Sequence, residues 1–91
     1  MIYLITYDID DDKQRDKISK VLENYGVRVQ ESVFECNLSS ANYKEVVDRI
    51  SKIISESANI RFYPICKECY SKAAGFGNLV QLPGLKGYEI I

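Results

Sequence analysis

Four aspartates lie within five positions near the N-terminus, at Asp8, Asp10, Asp11 and Asp12. Carboxylates this close repel one another unless each one caps a helix, meets a cation or projects into solvent. The chain has no histidine, so carboxylates and water activated by a metal are the obvious bases at neutral pH. Sorting the four aspartates among these roles therefore leads towards function.

Asp8 and Asp10 follow the apolar run "MIYLITYDI", whose continuous hydrophobicity predicts a buried central strand that ends near Asp8 to Asp10. In sheets flanked by helices, functional sites collect at the carboxyl ends of such strands. Side chains alternate with a period of two along a strand, which predicts Asp8 and Asp10 on the same face. These two residues are the candidates for chemistry.

Asp11 and Asp12 begin a segment with helical periodicity, "DDKQRDKISKVLENYG", where carboxylates cap backbone N–H groups and favour the helix dipole. Asp11 and Gln14 have the spacing of a capping box, and Gly26 lies where a left-handed C-terminal cap is expected. We therefore predict structural roles for Asp11 and Asp12. The apolar face of this helix consists of Ile18, Val21, Leu22 and Tyr25.

The next segment, "VRVQESVFECNL", is strand-like, but its apolar residues change face near Glu31 and Ser32. Either a bulge in one strand or a tight reversal between two strands would produce that change. Residues 39–57 predict a second amphipathic helix, capped by Ser39 or Ser40. "NIRFYPIC" predicts another strand, in which Pro64 marks a bulge or a sheet edge.

The order strand, helix, strand, strand, helix, strand predicts the α+β class and a ferredoxin-like βαββαβ sandwich, with two helices on one face of an antiparallel sheet. Residues 1–91 are expected to form this single domain. Within it, residues 67–86 are predicted to be loop-rich, and residues 87–91, "GYEII", to form an extra C-terminal strand.

Composition limits the possible classes of protein. A chain of 91 residues buries a small core, so a partner subunit is expected to contribute stability. We expect a cytoplasmic protein without a membrane span, since no apolar run approaches about 18 residues and no signal-peptide pattern occurs. The net charge of −1 requires any nucleic-acid binding to use local basic patches. Candidate residues are Lys13, Arg15, Lys17, Lys20, Arg28, Arg61, Lys67 and Lys72.

The three cysteines, Cys36, Cys66 and Cys69, are predicted to be reduced thiols rather than a disulfide framework. The "CKEC" pair lacks histidines or a second pair, so only a site shared between two subunits would complete four zinc ligands. A thioredoxin-like redox role requires the motif to open a helix after an early strand, whereas the sequence predicts a loop here.

Three stretches together resemble a known family: "YDI" with the acidic run and Arg15, then "GVRVQESVFE" at 26–35, then "RFYPI" at 61–65. They are similar to the small CRISPR-associated nuclease and adaptation protein, the "Cas two" family, over roughly residues 1–66. The resemblance implies a homodimer of ferredoxin-like subunits with their sheets face to face. It also implies that the C-terminal strand joins the sheet of the partner subunit.

In that family the aspartate that ends the first strand binds a divalent metal across the dimer axis, which implies Asp8 as the metal ligand and Mg²⁺ or Mn²⁺ as the cofactor. The resemblance further implies an endonuclease acting on RNA or double-stranded DNA, and a complex with the adaptation integrase that inserts new spacers. Around Asp8, Asp10 is a candidate to orient water, and Arg15, Arg28 and Ser32 are candidates to hold the phosphate.

Two other functions stay open. A dimer of this kind could bridge DNA in the integration complex without cleaving it. A regulatory ferredoxin-like module that binds a metabolite is also conceivable, although no glycine-rich ligand loop joins a strand to a helix. An RNA-recognition module would need a glycine and aromatic signature that "RVQESVFE" lacks.

Overall fold

The computed structural model describes residues 1–83 together with the backbone of residues 89–90. Four antiparallel strands form one sheet in the order β2-β3-β1-β4, and two long helices connect them. The predicted βαββαβ ferredoxin-like order is confirmed. The elements are β1 (Ile2–Asp8), α1 (Asp12–Glu23), β2 (Gly26–Gln30), β3 (Val33–Asn37), α2 (Ser40–Ser51) and β4 (Asn59–Ile65).

Strand β1 lies in the interior of the sheet, as its continuous apolar sequence predicts. Ile5 is opposite Phe34 of β3 on one side and Phe62 of β4 on the other. Because side chains alternate along a strand, successive residues of β1 face opposite sides of the sheet. The helix-facing side forms the main core, whose buried residues are Ile5, Tyr7, Ile9, Ile18, Val21, Leu22, Phe34, Cys36, Leu38, Val46 and Ile50.

Aromatic side chains join α2 to the sheet. The ring of Tyr43 stacks on Tyr3 of β1 with centroids 4.7 Å apart, and it meets the edge of Phe62 of β4 at 5.7 Å. Aromatic pairs in these geometries add attraction beyond the burial of their area. These contacts hold α2 against β1 and the adjacent edge strand β4.

One of the two hydrogen bonds of the predicted capping box is present at the start of α1. The carboxylate of Asp11 accepts the backbone N–H of Gln14 at 2.8 Å, as the spacing predicts. The side chain of Gln14 does not return to the cap but accepts the backbone N–H of Ser55 at 3.1 Å. Gln14 thereby ties the start of α1 to the segment that follows α2.

The prediction that Gly26 forms a left-handed cap is wrong. Helix α1 ends at Glu23 with a right-handed C-cap at Asn24, and Gly26 is the first residue of β2. A Cβ atom at Gly26 would lie 2.1 Å from the backbone oxygen of Glu35 and 2.5 Å from the sulfur of Cys36. Close approach of β2 and β3, rather than a turn, explains the glycine.

The apolar residues of 27–38 were expected to change face through either a bulge or a tight reversal, and both features are present. Strands β2 and β3 are joined by a tight reversal at Glu31 and Ser32, and their register is irregular between Arg28 and Gln30. Ser39, the first of the two candidate caps, accepts the backbone N–H of Asn42 at 3.1 Å and caps α2. Pro64 lies on the edge strand β4.

The second face of the sheet is partly covered by the segment after β4. Residues Lys67–Ser71 form a short helix, α3, where a loop was predicted. Tyr70 of α3 packs with Ile2 and Leu82 in a separate small core. Its hydroxyl donates a hydrogen bond of 2.8 Å to the carboxylate of Glu35, which is only 2% exposed.

Two short strands follow. Strand β5 (Ala74–Gly75) pairs in parallel with β6 (Glu89–Ile90) of the same chain. A C-terminal strand is thus present at residues 89–90 of the predicted 87–91, and residues 87, 88 and 91 lie outside the described residues. Exchange of this strand with a partner subunit stays a prediction. In the described part of the chain, no helix has the length and apolarity needed to cross a membrane.

Burial raises the pKa of Glu35, and the hydrogen bond from Tyr70 offsets part of that rise. Glu35 in the folded protein therefore keeps its proton at pH values where Glu35 in the unfolded chain has released it. The protein consequently loses folding stability as the pH rises from the unfolded-state pKa to the folded-state pKa of Glu35. Glu35→Gln removes the charge and keeps an acceptor for Tyr70. We expect the variant to have a higher Tm than the wild type at about pH 8, with the difference vanishing near pH 4.

Thermal melts followed by circular dichroism across this pH range measure the effect. A variant that melts below the wild type at the alkaline end would show that the folded state prefers the ionised carboxylate.

Candidate active site

A cleft of about 440 Å³ opens where β1 ends, between the start of α1 and the turn that joins β2 to β3. It is lined mainly by polar side chains, and it brings together every residue that the sequence nominated for the site. The predicted residues are Asp8, Asp10, Arg15, Arg28 and Ser32; the others are Tyr7, Ile9, Asp16, Ser19 and Glu31. One opening thus contains four carboxylates and two guanidinium groups.

Asp8 and Asp10 reach the cleft by different routes. Asp8 is the last residue of β1 and is exposed, whereas Asp10 is exposed in the loop before α1. Between them Ile9, 5% exposed, enters the main core. Asp8 and Asp10 lie at the same cleft, as predicted, although the strand itself ends at Asp8. It is the loop that brings Asp10 to the cleft.

Arg15 fixes that loop. Its guanidinium donates to the backbone oxygen of Ile9 at 2.9 Å and to that of Asp10 at 3.5 Å, and it also pairs with the carboxylate of Asp12. A planar group with several donors can hold two carbonyls and a carboxylate at once. Asp12 therefore has a structural role, as predicted, and Arg15 positions the backbone on which Asp10 lies.

Arg28 is also engaged by the protein. It donates to the backbone oxygen of Glu31 at 2.6 Å, lies 3.6 Å from the carboxylate of Glu23, and sits over the buried ring of Phe34 at 5.1 Å from its centroid. Its side chain remains exposed beside the cleft. Arg28 can contact a phosphate with its free donors while these contacts hold its direction.

Tyr7 is a cleft residue that the sequence analysis assigned only to the strand. Its hydroxyl donates to the backbone oxygen of Glu31 at 3.3 Å, and its backbone N–H donates to the backbone oxygen of Ser32 at 3.1 Å. Burial raises the pKa of Tyr7, which the charges of Arg28 and Arg15 partly counteract. Tyr7 therefore stays protonated and anchors the β2–β3 turn rather than acting as a base.

Asp16 and Ser19 were also missed. Ser19 lies four residues after Arg15, so both project from one side of α1, and Asp16 adjoins them. This spacing was readable in the sequence. The participation of Glu31 was not, because it depends on where the β2–β3 turn folds.

The donor set consists of hard oxygen ligands, which suit Mg²⁺ or Mn²⁺. Within the described residues, no three acidic or cysteine side chains come close enough together to hold a metal ion. Asp8 as a metal ligand stays a prediction.

The chain is similar to known proteins over most of its length. A family model described as CRISPR associated protein Cas2 matches residues 1–73. A CRISPR-associated endoribonuclease Cas2 of Synechocystis sp. is 51% identical over 65 residues, which are 70% of this chain and 71% of that protein. Another, from Chloroflexus aurantiacus, is 45% identical over 71 residues, or 76% of each chain.

Two solved structures have the same fold. Streptococcus pyogenes Cas2, crystallised at pH 6.5, superposes with a TM-score of 0.70 at 37% identity, covering 74% of this chain and 88% of that one. A chain of a partial Cas6-RT-Cas1–Cas2 complex gives a TM-score of 0.71 at 40% identity, with 91% and 94% covered.

The cap at Asp11 predicts a stability effect separate from the cleft. Asp11→Ala removes the acceptor for the backbone N–H of Gln14 and should lower the free energy of unfolding by about 1 kcal/mol. Asp11→Asn keeps a capping oxygen and is the matched control, expected to remain close to the wild type. Urea denaturation measures both variants. An equal loss in the Asn variant would mean that the charge, not the hydrogen bond, stabilises the helix.

Proposed function

The chain belongs to the CRISPR-associated Cas2 family, and we propose that it acts in the acquisition of new spacers as a symmetric dimer that cleaves RNA or double-stranded DNA with Mg²⁺ or Mn²⁺. The observation that carries this proposal is the convergence of Asp8, Asp10, Arg15, Arg28 and Ser32 on one cleft at the end of β1. Carboxylates for a cation beside guanidinium groups for a phosphate suit phosphodiester hydrolysis.

The dimer is supported by the second face of the sheet. Tyr63 of β4 is 45% exposed, and in the segment after α3 Phe76 and Val80 are 73% and 50% exposed. Phe76 and Val80 line one groove with Val29 of β2, and Tyr63 lies on the strand at the opposite edge of the sheet. Exposed apolar side chains of this kind are typical of interaction surfaces. Asp8 follows the same alternation as Leu4 and Thr6, which lie on the second face, so joining two such faces would bring two copies of Asp8 towards the axis.

A cation shared at the axis would relieve the repulsion between the two Asp8 carboxylates. Asp8 of each subunit would hold it, in keeping with the finding that no three metal-binding side chains cluster within residues 1–83. When bound, the cation would acidify water and neutralise the charge that develops on the phosphate.

The chain's own residues then have separate tasks. Asp10 would accept a hydrogen bond from the attacking water, and Arg15 would act only as a positioning residue, through its bonds to the Ile9 and Asp10 carbonyls. Arg28 and the hydroxyl of Ser32 would bind the non-bridging phosphate oxygens. Tyr7 would keep the turn that carries Ser32 in place.

Partnership with the adaptation integrase is supported by the similar chain in a Cas6-RT-Cas1–Cas2 complex. A second candidate function, a DNA-bridging dimer that does not cleave, is favoured by one observation. Arg15 and Arg28 are both already bonded to protein acceptors, which leaves fewer donors for a scissile phosphate. The two functions share the dimer and differ in the need for Asp8.

Asp8→Asn keeps the size of the side chain and removes its charge. We expect it to lower metal-dependent cleavage of RNA or duplex DNA by at least about a hundredfold, because the principal ligand for the cation is lost. Asp48→Asn removes an equal charge from α2, where Asp48 pairs with Lys52 at 3.1 Å, and should leave cleavage unchanged.

Cleavage is followed on labelled RNA and duplex DNA with Mg²⁺ or Mn²⁺, and with a chelator. Full activity in Asp8→Asn would remove Asp8 from the mechanism. A wild-type protein that binds DNA and the integrase but cleaves neither substrate would establish the bridging function instead.

A further inference from the structure

The pair Cys66 and Cys69 is unused by the cleft and lies at the start of α3. Both side chains are exposed and are three residues apart in one helical turn. The third cysteine, Cys36, is fully buried, and burial raises its pKa to about 12. Only Cys66 and Cys69 can therefore meet a thiol reagent in the folded protein.

The two sulfur atoms are arranged to interact. Cys66 is the N-cap of α3, and its sulfur accepts the backbone N–H of Cys69 at 3.3 Å. This contact holds the Cys66 side chain over the first turn, against the backbone of Cys69. The sequence argued against a thioredoxin-like redox role because that motif opens a helix after an early strand. The pair does open a helix, α3, but this helix follows the late strand β4, so the site is not thioredoxin-like.

The two thiols differ in acidity. The Cys69 thiol donates a hydrogen bond to the Cys66 sulfur, and with the backbone N–H of Cys69 this lowers the pKa of Cys66. The same thiol contact raises the pKa of Cys69. A thiolate is the reactive form of cysteine, so Cys66 is the nucleophile and Cys69 remains a thiol beside it.

We propose that Cys66 and Cys69 form a reversible dithiol–disulfide site that exchanges with low-molecular-weight disulfides. The proposal does not rest on the nuclease activity. Its support is the exposure of both thiols, the hydrogen bond from the backbone N–H of Cys69 to the Cys66 sulfur, and the burial of the third cysteine.

The exchange proceeds in two displacements. The Cys66 thiolate attacks the small disulfide, forming a mixed disulfide and releasing one small thiolate. Cys69 then loses its proton to solvent and attacks the Cys66 sulfur, which breaks the mixed disulfide and releases the second small thiolate. Two electrons pass from the protein to the small disulfide, and the protons from the two cysteines end on the two released thiols.

The bond would close within the first turn of α3, whose later residue Tyr70 anchors the helix to Glu35 at 2.8 Å. Oxidation would thus leave the Tyr70 contact intact. The fold and the burial of Cys36 are expected to be the same in both redox states.

The test uses oxidised glutathione as the probe, with the reaction stopped by N-ethylmaleimide and the products identified by intact mass and peptide mapping. The wild type should lose both exposed thiols, retain no glutathione and carry a link between Cys66 and Cys69. Cys69→Ser should stop at one glutathione on Cys66.

Cys66→Ser is the matched control, since serine also caps a helix and the variant should fold normally by circular dichroism. It should react several-fold more slowly than Cys69→Ser at pH 7. In Cys69→Ser the backbone N–H of residue 69 still lowers the pKa of Cys66, whereas in Cys66→Ser the thiol of Cys69 loses only the contact that raised its own pKa. Equal rates for the two variants would overturn the proposal. So would a wild type that keeps glutathione without closing the disulfide, or that links two chains through these cysteines.

Discussion

The hydrogen-bonded position of β1 between β3 and β4 is the constraint on which the rest of the molecule depends. Pairing on both sides fixes which residues of β1 face the helices, so Tyr3, Ile5 and Tyr7 enter the main core. The intervening residues face the other side of the sheet. A slip by one residue would reverse both faces and move Asp8 away from the cleft.

The fixed position of β1 also gives each of the four closely spaced aspartates a separate position. Asp8 ends the strand, Asp11 caps α1, and Asp12 pairs with Arg15, which in turn holds the carbonyls of Ile9 and Asp10. Four like charges are therefore accommodated by a cap, an ion pair and two exposed positions at the cleft. Their spacing reflects one short connection that serves both the fold and the site.

The sequence was most informative where periodicity or a cap decides the structure. The continuous apolar run of β1, the helical spacing of Ile18, Val21 and Leu22, and the Asp11 cap each depend on local rules, and each is present. Gly26 was misassigned because its need for a missing Cβ comes from β3, a strand distant in sequence.

The nominated residues do meet at one cleft, but neither the participation of Glu31 nor the hydrogen bonds of the cleft could be predicted from the sequence. Residue type and strand position nominated Asp8 and Asp10, and the chemistry of holding a phosphate beside Asp8 nominated Arg15, Arg28 and Ser32. No sequence pattern reveals that Arg15 bonds to two backbone oxygens, or that Tyr7 donates to the turn at Glu31. Those contacts depend on tertiary distances. They show that Arg15 is bonded to the loop that carries Asp10.

The central claim is that two copies of Asp8 share one cation at a dimer axis. Calorimetric titration of the wild type with Mn²⁺, on a sample whose mass is measured by light scattering, tests it most directly. The account predicts a mass of twice the 10.4 kDa chain and one tightly bound cation for every two chains. A cation bound to each chain independently, or a stable monomer that binds Mn²⁺ equally well, would contradict it.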